Sequence, residues 1–98
     1  MRVKILDGAM RDLEEGYRFY ERKSLGLGSY FLHSLYSDID SFSYFEGIHP
    51  LVFGHHRLLP RRLPFAVYYK ILEHEVLVTA VLDCRRNPAW IREKLMKD

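Results

Sequence analysis

The chain has a single cysteine, Cys84, in 98 residues. One thiol makes no internal disulfide, so no covalent framework supports the fold, and the usage fits a reducing compartment. Nothing around Cys84 has the spacing of a thiolate metal site, and a structural role is expected for it. Long apolar runs are missing as well, none approaching the roughly 20 residues that span a bilayer. The opening Met1-Arg2-Val3-Lys4-Ile5-Leu6-Asp7 is too short and too soon charged for a secretory signal, so a cytoplasmic protein without membrane contact is expected. Charge of one sign is also scarce: 15 Lys and Arg against 13 Asp and Glu leave a formal net charge of +2. That is too little for the dense basic patch of a typical nucleic-acid binder, although it suits an acidic partner. There is no Gly-rich phosphate loop, nucleophile–base pair or pair of catalytic carboxylates, and no cofactor is expected.

What the chain does have is apolar and aromatic material, 48% hydrophobic with seven Tyr and six Phe, which argues against disorder. The length suits one hydrophobic core, hence a single domain over 1–98. A short β-branched segment at 3–6 is followed by Asp7 as a candidate N-cap and by Ala9, Leu13, Tyr17 and Tyr20 at helical spacing. This predicts a helix over Asp7–Lys23. After Gly26 and Gly28, the residues Phe31, Leu35, Ile39, Phe42 and Phe45 predict a second helix over 27–45, ended by Gly47 and Pro50. The short linker makes the two an antiparallel hairpin with one apolar stripe each.

From His55 onward the pattern becomes that of strands, predicted at 55–59, Phe65–Leu72 and Glu75–Asp83. Glu73 and His74 make the last two a tight hairpin, with Glu73-His74-Glu75 a solvated polar turn, and Pro60 and Pro64 bracket a turn that carries Arg61 and Arg62. Asn87 followed by Pro88 marks the start of a short terminal helix. The expected fold is therefore α+β: a helix hairpin on a small, mainly antiparallel sheet in the order β-α-α-β-β-β-short α.

Strict alternation puts Phe65, Val67, Tyr69 and Ile71 on one face of the long strand and Ala66, Tyr68, Lys70 and Leu72 on the other. In the next strand it separates Val76, Val78, Ala80 and Leu82 from Leu77, Thr79, Val81 and Asp83. Both faces are apolar, the hairpin covers one, and the terminal helix is too short to cover the other. Ala66, Tyr68, Leu77 and Val81 are thus expected to form a docking surface, unless a loop folds over them. This favours a binding protein over an enzyme.

Arg57, Arg61, Arg62, Lys70, Arg85 and Arg86 come from neighbouring strands and either gather on one edge or lie scattered in solvent. Trp90 either packs back on the sheet or anchors an interface. Adjacent His55 and His56 point to opposite faces of a strand, so they make no metal site by themselves.

The segment Pro64-Phe65-Ala66-Val67-Tyr68-Tyr69 and the run Ala80-Val81-Leu82-Asp83-Cys84-Arg85-Arg86-Asn87-Pro88, with the leading strand 3–6, Ala9, Asp12-Leu13, Phe31 and Arg57, resemble the RelE/ParE superfamily of type II toxin–antitoxin toxins. The likeness is to the ParE-like, plasmid-stabilisation branch and spans nearly the whole chain. It implies a compact toxin neutralised by a cognate antitoxin whose C-terminal segment wraps around it, with Ala66, Tyr68, Leu77, Val81, Arg61 and Arg62 as candidate antitoxin contacts.

Two activities occur in that superfamily. RelE-like members cut messenger RNA on the ribosome, and ParE-like members bind DNA gyrase. The nuclease needs an Arg on the central strand where this chain has Ala66, and a terminal Tyr or His–Tyr pair where it has Pro88 and Trp90, neither of which moves a proton. The resemblance thus implies inhibition by binding, with Arg85, Arg86 and Trp90 as target contacts and Asp83 orienting an Arg or capping the following turn. The alternatives are a ribosome-dependent endoribonuclease using Arg85 and Arg86 with ribosome and mRNA as partners, or a non-toxic relic that still binds antitoxin.

Overall fold

A computed structural model describes residues 1–97. It orders the elements as β1 (Arg2–Ile5), α1 (Asp7–Lys23), α2 (Leu27–Asp40), α3 (Phe42–Phe45), β2 (Leu51–Val52), β3 (His55–Leu58), β4 (Phe65–Leu72), β5 (Glu75–Asp83) and α4 (Pro88–Leu95). The strands form one sheet in the order β1-β5-β4-β3-β2, with β1 parallel to β5 and every other pair antiparallel. The expected α+β architecture is the one observed. The two-residue β2 is an addition to the sequence reading, and Leu59, expected at the end of β3, lies outside it and is exposed.

The helix hairpin forms as its apolar stripes dictate, with two corrections at the ends. Asp7 is the first helical residue and not the cap, because the Leu6 N–H adds a last rung to the ladder by donating to Val78 O at 3.0 Å while the Leu6 carbonyl accepts from the Met10 N–H at 2.9 Å. The expected helix over 27–45 breaks at Ser41, whose hydroxyl donates to Asp38 O at 2.6 Å and offers the backbone a local alternative to helix. Phe42 stays fully buried, but the break turns Phe45 outward.

Tight approach of α1 and α2 rests on their glycines. A Cβ on Gly16 would lie 2.3 Å from the Phe31 ring, and one on Gly28 would lie 2.8 Å from the Tyr17 carbonyl. At the corner, the Glu21 carboxylate accepts from the Gly26 N–H at 3.1 Å and the Gly28 N–H at 2.9 Å, so the last turn of α1 satisfies donors at the start of α2.

Both helices cover one face of the sheet, called the inner face here. The core there joins Leu13, Phe31, Leu35, Ile39 and Phe42 to Val67, Tyr69, Val76, Val78 and Val81. Val81 contradicts strict alternation, and the register gives the reason. Tyr69 pairs with Val78 and Tyr68 with Ala80, leaving Thr79 as an extra residue in β5. This β-bulge sends Val81 inward with Val76 and Val78, and sends Ala80 and Leu82 outward with Leu77.

The outer face departs further from expectation. Asn87 caps α4, its side-chain oxygen accepting from the Ala89 N–H at 2.8 Å, and Pro88 takes the first turn. The helix lays Ile91 and Leu95 on Ala66, Tyr68, Ala80 and Leu82, with Trp90 and Val52 at the margins. Two alanines in that floor give a helix of eight residues a shallow seat, so it covers more of the sheet than its length suggests. Ala66 is 0% exposed, Tyr68 1% and Val81 2%, which corrects the expectation that these three stand free. Of the four expected docking residues, only Leu77 is partly exposed.

Candidate functional site

The corner after β5 is built on Asp83. Its carboxylate accepts from the Arg85 backbone N–H at 2.8 Å, from Arg85 Nε at 3.0 Å and from an Arg85 terminal guanidinium nitrogen at 2.7 Å. These bonds to Arg85 hold the Asp83 carboxyl below the usual carboxylate range, and the carboxylate in turn raises Arg85. Asp83 therefore both orients an Arg and closes the turn, as its position suggested. The Cys84 N–H donates to Pro64 O at 2.7 Å and ties the corner to the entry of β4, while the residue itself is exposed.

Arg86 is held differently. Its guanidinium carbon lies 3.9 Å from the centre of the Trp90 ring, and Lys94 Nζ lies 5.4 Å from the same ring. Trp90 packs back on the outer-face cluster and still presents its ring as a platform for cations. Arg86 and Trp90 line an open groove of about 410 Å³ together with Phe19, Arg18 and Arg22 of α1. Arg85 is spent on Asp83, whereas Arg86 faces this groove.

Between that groove and the next lies Asp12. Beyond the end of β1, the Val81 N–H finds no strand partner and donates instead to Asp12 Oδ2 at 2.9 Å. Burial pushes the Asp12 carboxyl up to about 6, opposed by the Val81 N–H and by Lys94. Asp12 and Glu15 also line a second groove, of about 500 Å³, floored by Leu72, Leu77, Ala80 and Leu82 and edged by Arg11, Lys70, Lys94 and Lys97. This is the part of the outer face that α4 leaves open.

Six cations were expected to gather on one edge or to scatter, and the structure distributes them among separate places. Lys70 belongs to the groove just described, near the β4–β5 turn. Arg86 belongs to the groove at the opposite end of β5. Arg61 and Arg62 line a third groove of about 430 Å³ against Tyr30, Ser34, Ser37 and Asp38 of α2. Arg57 pairs with Tyr68 across β3 and β4, with its Nε buried and without a hydrogen-bond partner.

A polar network on the inner face was not visible in the sequence. The Tyr69 hydroxyl accepts the Gly47 N–H at 3.0 Å and lies 2.5 Å from His49 Nδ1, while His56 stacks on the Tyr69 ring with its Nδ1 2.8 Å from His49 O. Burial lowers the His49 pKa, as does the neighbouring His56, with Asp38 opposing them. His55 lies on the other face, buried, with Nδ1 2.9 Å from Phe53 O. These histidines fasten the segment after α3 to the sheet.

No family model matches the sequence, and no curated protein matches it. Its backbone does match a solved structure described as the chromosomal ParDE TA system from P. aeruginosa. The TM-score is 0.71 at 19% identity, over 85% of this chain and 95% of that one. At that identity the likeness establishes a shared fold, the one expected from the strand and helix order.

Proposed function

We propose that this chain is the toxin of a type II toxin–antitoxin module, acting in the cytoplasm by binding its target, DNA gyrase, and neutralised by a cognate antitoxin. The shared fold supports the first part. The observation that carries the mode of action is Ala66. It is the second residue of β4, where a ribosome-dependent nuclease of this fold needs a phosphate-binding Arg, and it is sealed in one apolar cluster with Ile91 and Leu95. Arg86 and Trp90 offer instead a preformed recognition surface, cationic and aromatic, of the kind that dominates protein interfaces. Asp83 and Arg85 hold that surface in place.

Expression of the chain without its antitoxin, followed by primer extension on translated messages and a reporter of the DNA-damage response, tests this reading. The expected result is arrested division with the damage response induced and no discrete cleavage of ribosome-bound messages. Cuts at the ribosomal A site that vanish in Arg85→Ala would replace it with the nuclease reading. Absence of any growth defect, with antitoxin binding intact, would identify a non-toxic relic.

A further inference from the structure

The strap of chain from α3 to the turn after β2 crosses the sheet and is fastened along one side. It starts with α3 packed against β1; the Gly47 N–H then donates to the Tyr69 hydroxyl at 3.0 Å, His49 O lies 2.8 Å from His56 Nδ1, and Leu51 and Val52 pair with β3. The large side chains it leaves in water are all apolar or aromatic: Tyr44 is 81% exposed, Ile48 70%, Leu51 66%, Phe45 56% and Phe53 43%. Between Ser41 and Phe53 the only carboxylate or basic side chains are Glu46 and His49, and both are turned inward, Glu46 with one oxygen buried and His49 against Tyr69.

Phe53 gains nothing from this exposure within one molecule. With Gly54 it forms the two-residue turn between β2 and β3, at φ of 50° and 79°. Gly and Asn adopt positive φ in such turns readily, and a bulky side chain does not. Glu73, the other non-glycine residue with positive φ among those described, is polar and loses nothing in water. An aromatic ring kept at a strained position acquires a use once a second surface covers it.

The edge of the sheet supplies the geometry of that cover. The Arg57 N–H donates to Pro50 O at 2.9 Å, which makes Pro50 and Arg57 a hydrogen-bonded pair and leaves the N–H and C=O of the next residue, Leu51, pointing out of the sheet. A second copy related by a two-fold axis at Leu51 presents the same two groups in the reverse direction, so both are satisfied at once. The five side chains leave roughly 500 Å² of apolar surface in water, more than a monomer ordinarily keeps in one place. Gly47, Pro50 and Gly54, exposed among them, bring a symmetric contact toward the roughly 800 Å² that each partner of a specific interface contributes. A patch without charge gives a different partner no electrostatic signal, whereas an apolar, self-complementary one has the character of a homodimer interface.

We propose that this chain forms a two-fold symmetric dimer through the strap, with β2 pairing antiparallel to β2 of a second copy across Leu51 and with Tyr44, Phe45, Ile48 and Phe53 closing around that pair. The dimer does not depend on the toxin reading. A Cβ on Gly47 would lie 3.3 Å from Ile71, so the strap crosses the end of the sheet where β5 begins, and the grooves lined by Arg86 and Trp90 at the other end of β5 stay open in both copies.

Sedimentation equilibrium of the purified chain between about 1 and 100 μM tests this, with a dimer expected to form in that range. Ile48→Lys and Leu51→Glu, at side chains exposed in the monomer, should each weaken association by about 30-fold or more while circular dichroism shows the fold intact. Leu72→Glu, at an apolar residue 55% exposed outside the strap, should stay within about twofold of wild type. Phe53→Asn separates interface from fold: it should raise the thermal midpoint of the dilute monomer by relieving the turn, and weaken association by about tenfold. Hydrogen exchange on the unmodified chain reads the strand pairing, the Leu51 N–H being expected to exchange about tenfold or more slowly in the dimer than in the monomer. A chain that stays monomeric throughout overturns the proposal and leaves the strap to a different protein. Growth beyond a dimer, a dimer that tolerates both Ile48→Lys and Leu51→Glu, or a Leu51 N–H that exchanges equally fast in monomer and dimer overturns it as well, by placing the self-contact on another surface.

Discussion

The two faces of the sheet solve the same problem with different materials. On the inner face three helices press Leu13, Phe31, Leu35, Ile39 and Phe42 onto six buried strand residues, and interlocking aromatic rings fill the space, with Phe31 and Phe65 5.1 Å apart edge to face. On the outer face α4 lays Ile91 and Leu95 over a floor that includes Ala66 and Ala80, and beyond it the leucines are edged by three lysines and Arg11. The inner face is specialised for stability. The outer face keeps an open groove in which apolar and charged side chains meet at the surface.

The largest expected effect comes from breaking the inner face. Phe31→Ala should cost about 3–5 kcal/mol, since a large ring at 0% exposure, packed against Gly16 of α1, is removed from the core. Urea unfolding measures it, and a loss below about 1 kcal/mol would show that the hairpin is not the principal source of stability. On the outer face, Ile91→Ala should cost about 2 kcal/mol, the low end for such truncations, because its site lies at the edge of a thinner layer. An Ile91→Ala effect equal to that of Phe31→Ala would erase the contrast between the faces.

Two partly buried groups, Asp12 between the grooves and His49 on the inner face, should make stability respond to pH in opposed ways. Asp12 sits at about 6 against an ordinary value of 3.8, so the folded state holds a proton that the unfolded state gives up. The stability this provides is present at low pH and is lost as pH rises from about 4 to about 6. After discounting for solvent screening it amounts to about 1–2 kcal/mol. Asp12→Asn keeps an acceptor for the Val81 N–H and should flatten that slope and stabilise the protein at pH 7. His49 works in the other direction. Its pKa is lowered by burial and by His56, so the unfolded state takes up the proton first and stability declines as pH falls below about 6.5. Unfolding midpoints between pH 4 and 8 for wild type, Asp12→Asn and His49→Gln separate the two, and parallel curves for all three would refute both assignments.

Smallest in stability and largest in discrimination is the basic corner. Arg85→Ala and Arg86→Ala should each move the thermal midpoint by only about 2 °C, as exposed substitutions do. Growth inhibition should separate them: Arg86→Ala removes the cation that faces the groove, while Arg85→Ala loosens the turn that presents it. Equal loss of toxicity with unchanged midpoints would return Arg85 to the contact surface.

Much of this architecture was legible in the residues. The stripe through Ala9 and Leu13 and that from Phe31 to Ile39 mark the two long helices, because a period near 3.6 buries one side only. Asn87-Pro88 marked the last helix, and the short Glu73-His74 connection left the two long strands no alternative to pairing. Asp83 was legible as the residue that organises its corner, for a carboxylate two positions before an Arg has a short path to it.

The tertiary structure alone decided which faces those residues occupy. The Thr79 bulge depends on how β5 pairs with β4, and a single extra residue exchanged Val81 for Ala80 across the sheet. The Asp12 bond to Val81 arises because β1 ends early, and it spans 69 positions of sequence. The cationic groove draws Arg11, Lys70, Lys94 and Lys97 from three distant parts of the chain, where no spacing links them. Periodicity is a local property, so the sequence by itself determined the elements and their order; register and convergence depend on pairs of elements meeting, so which face each residue occupies and which charges come together was decided only when the chain folded.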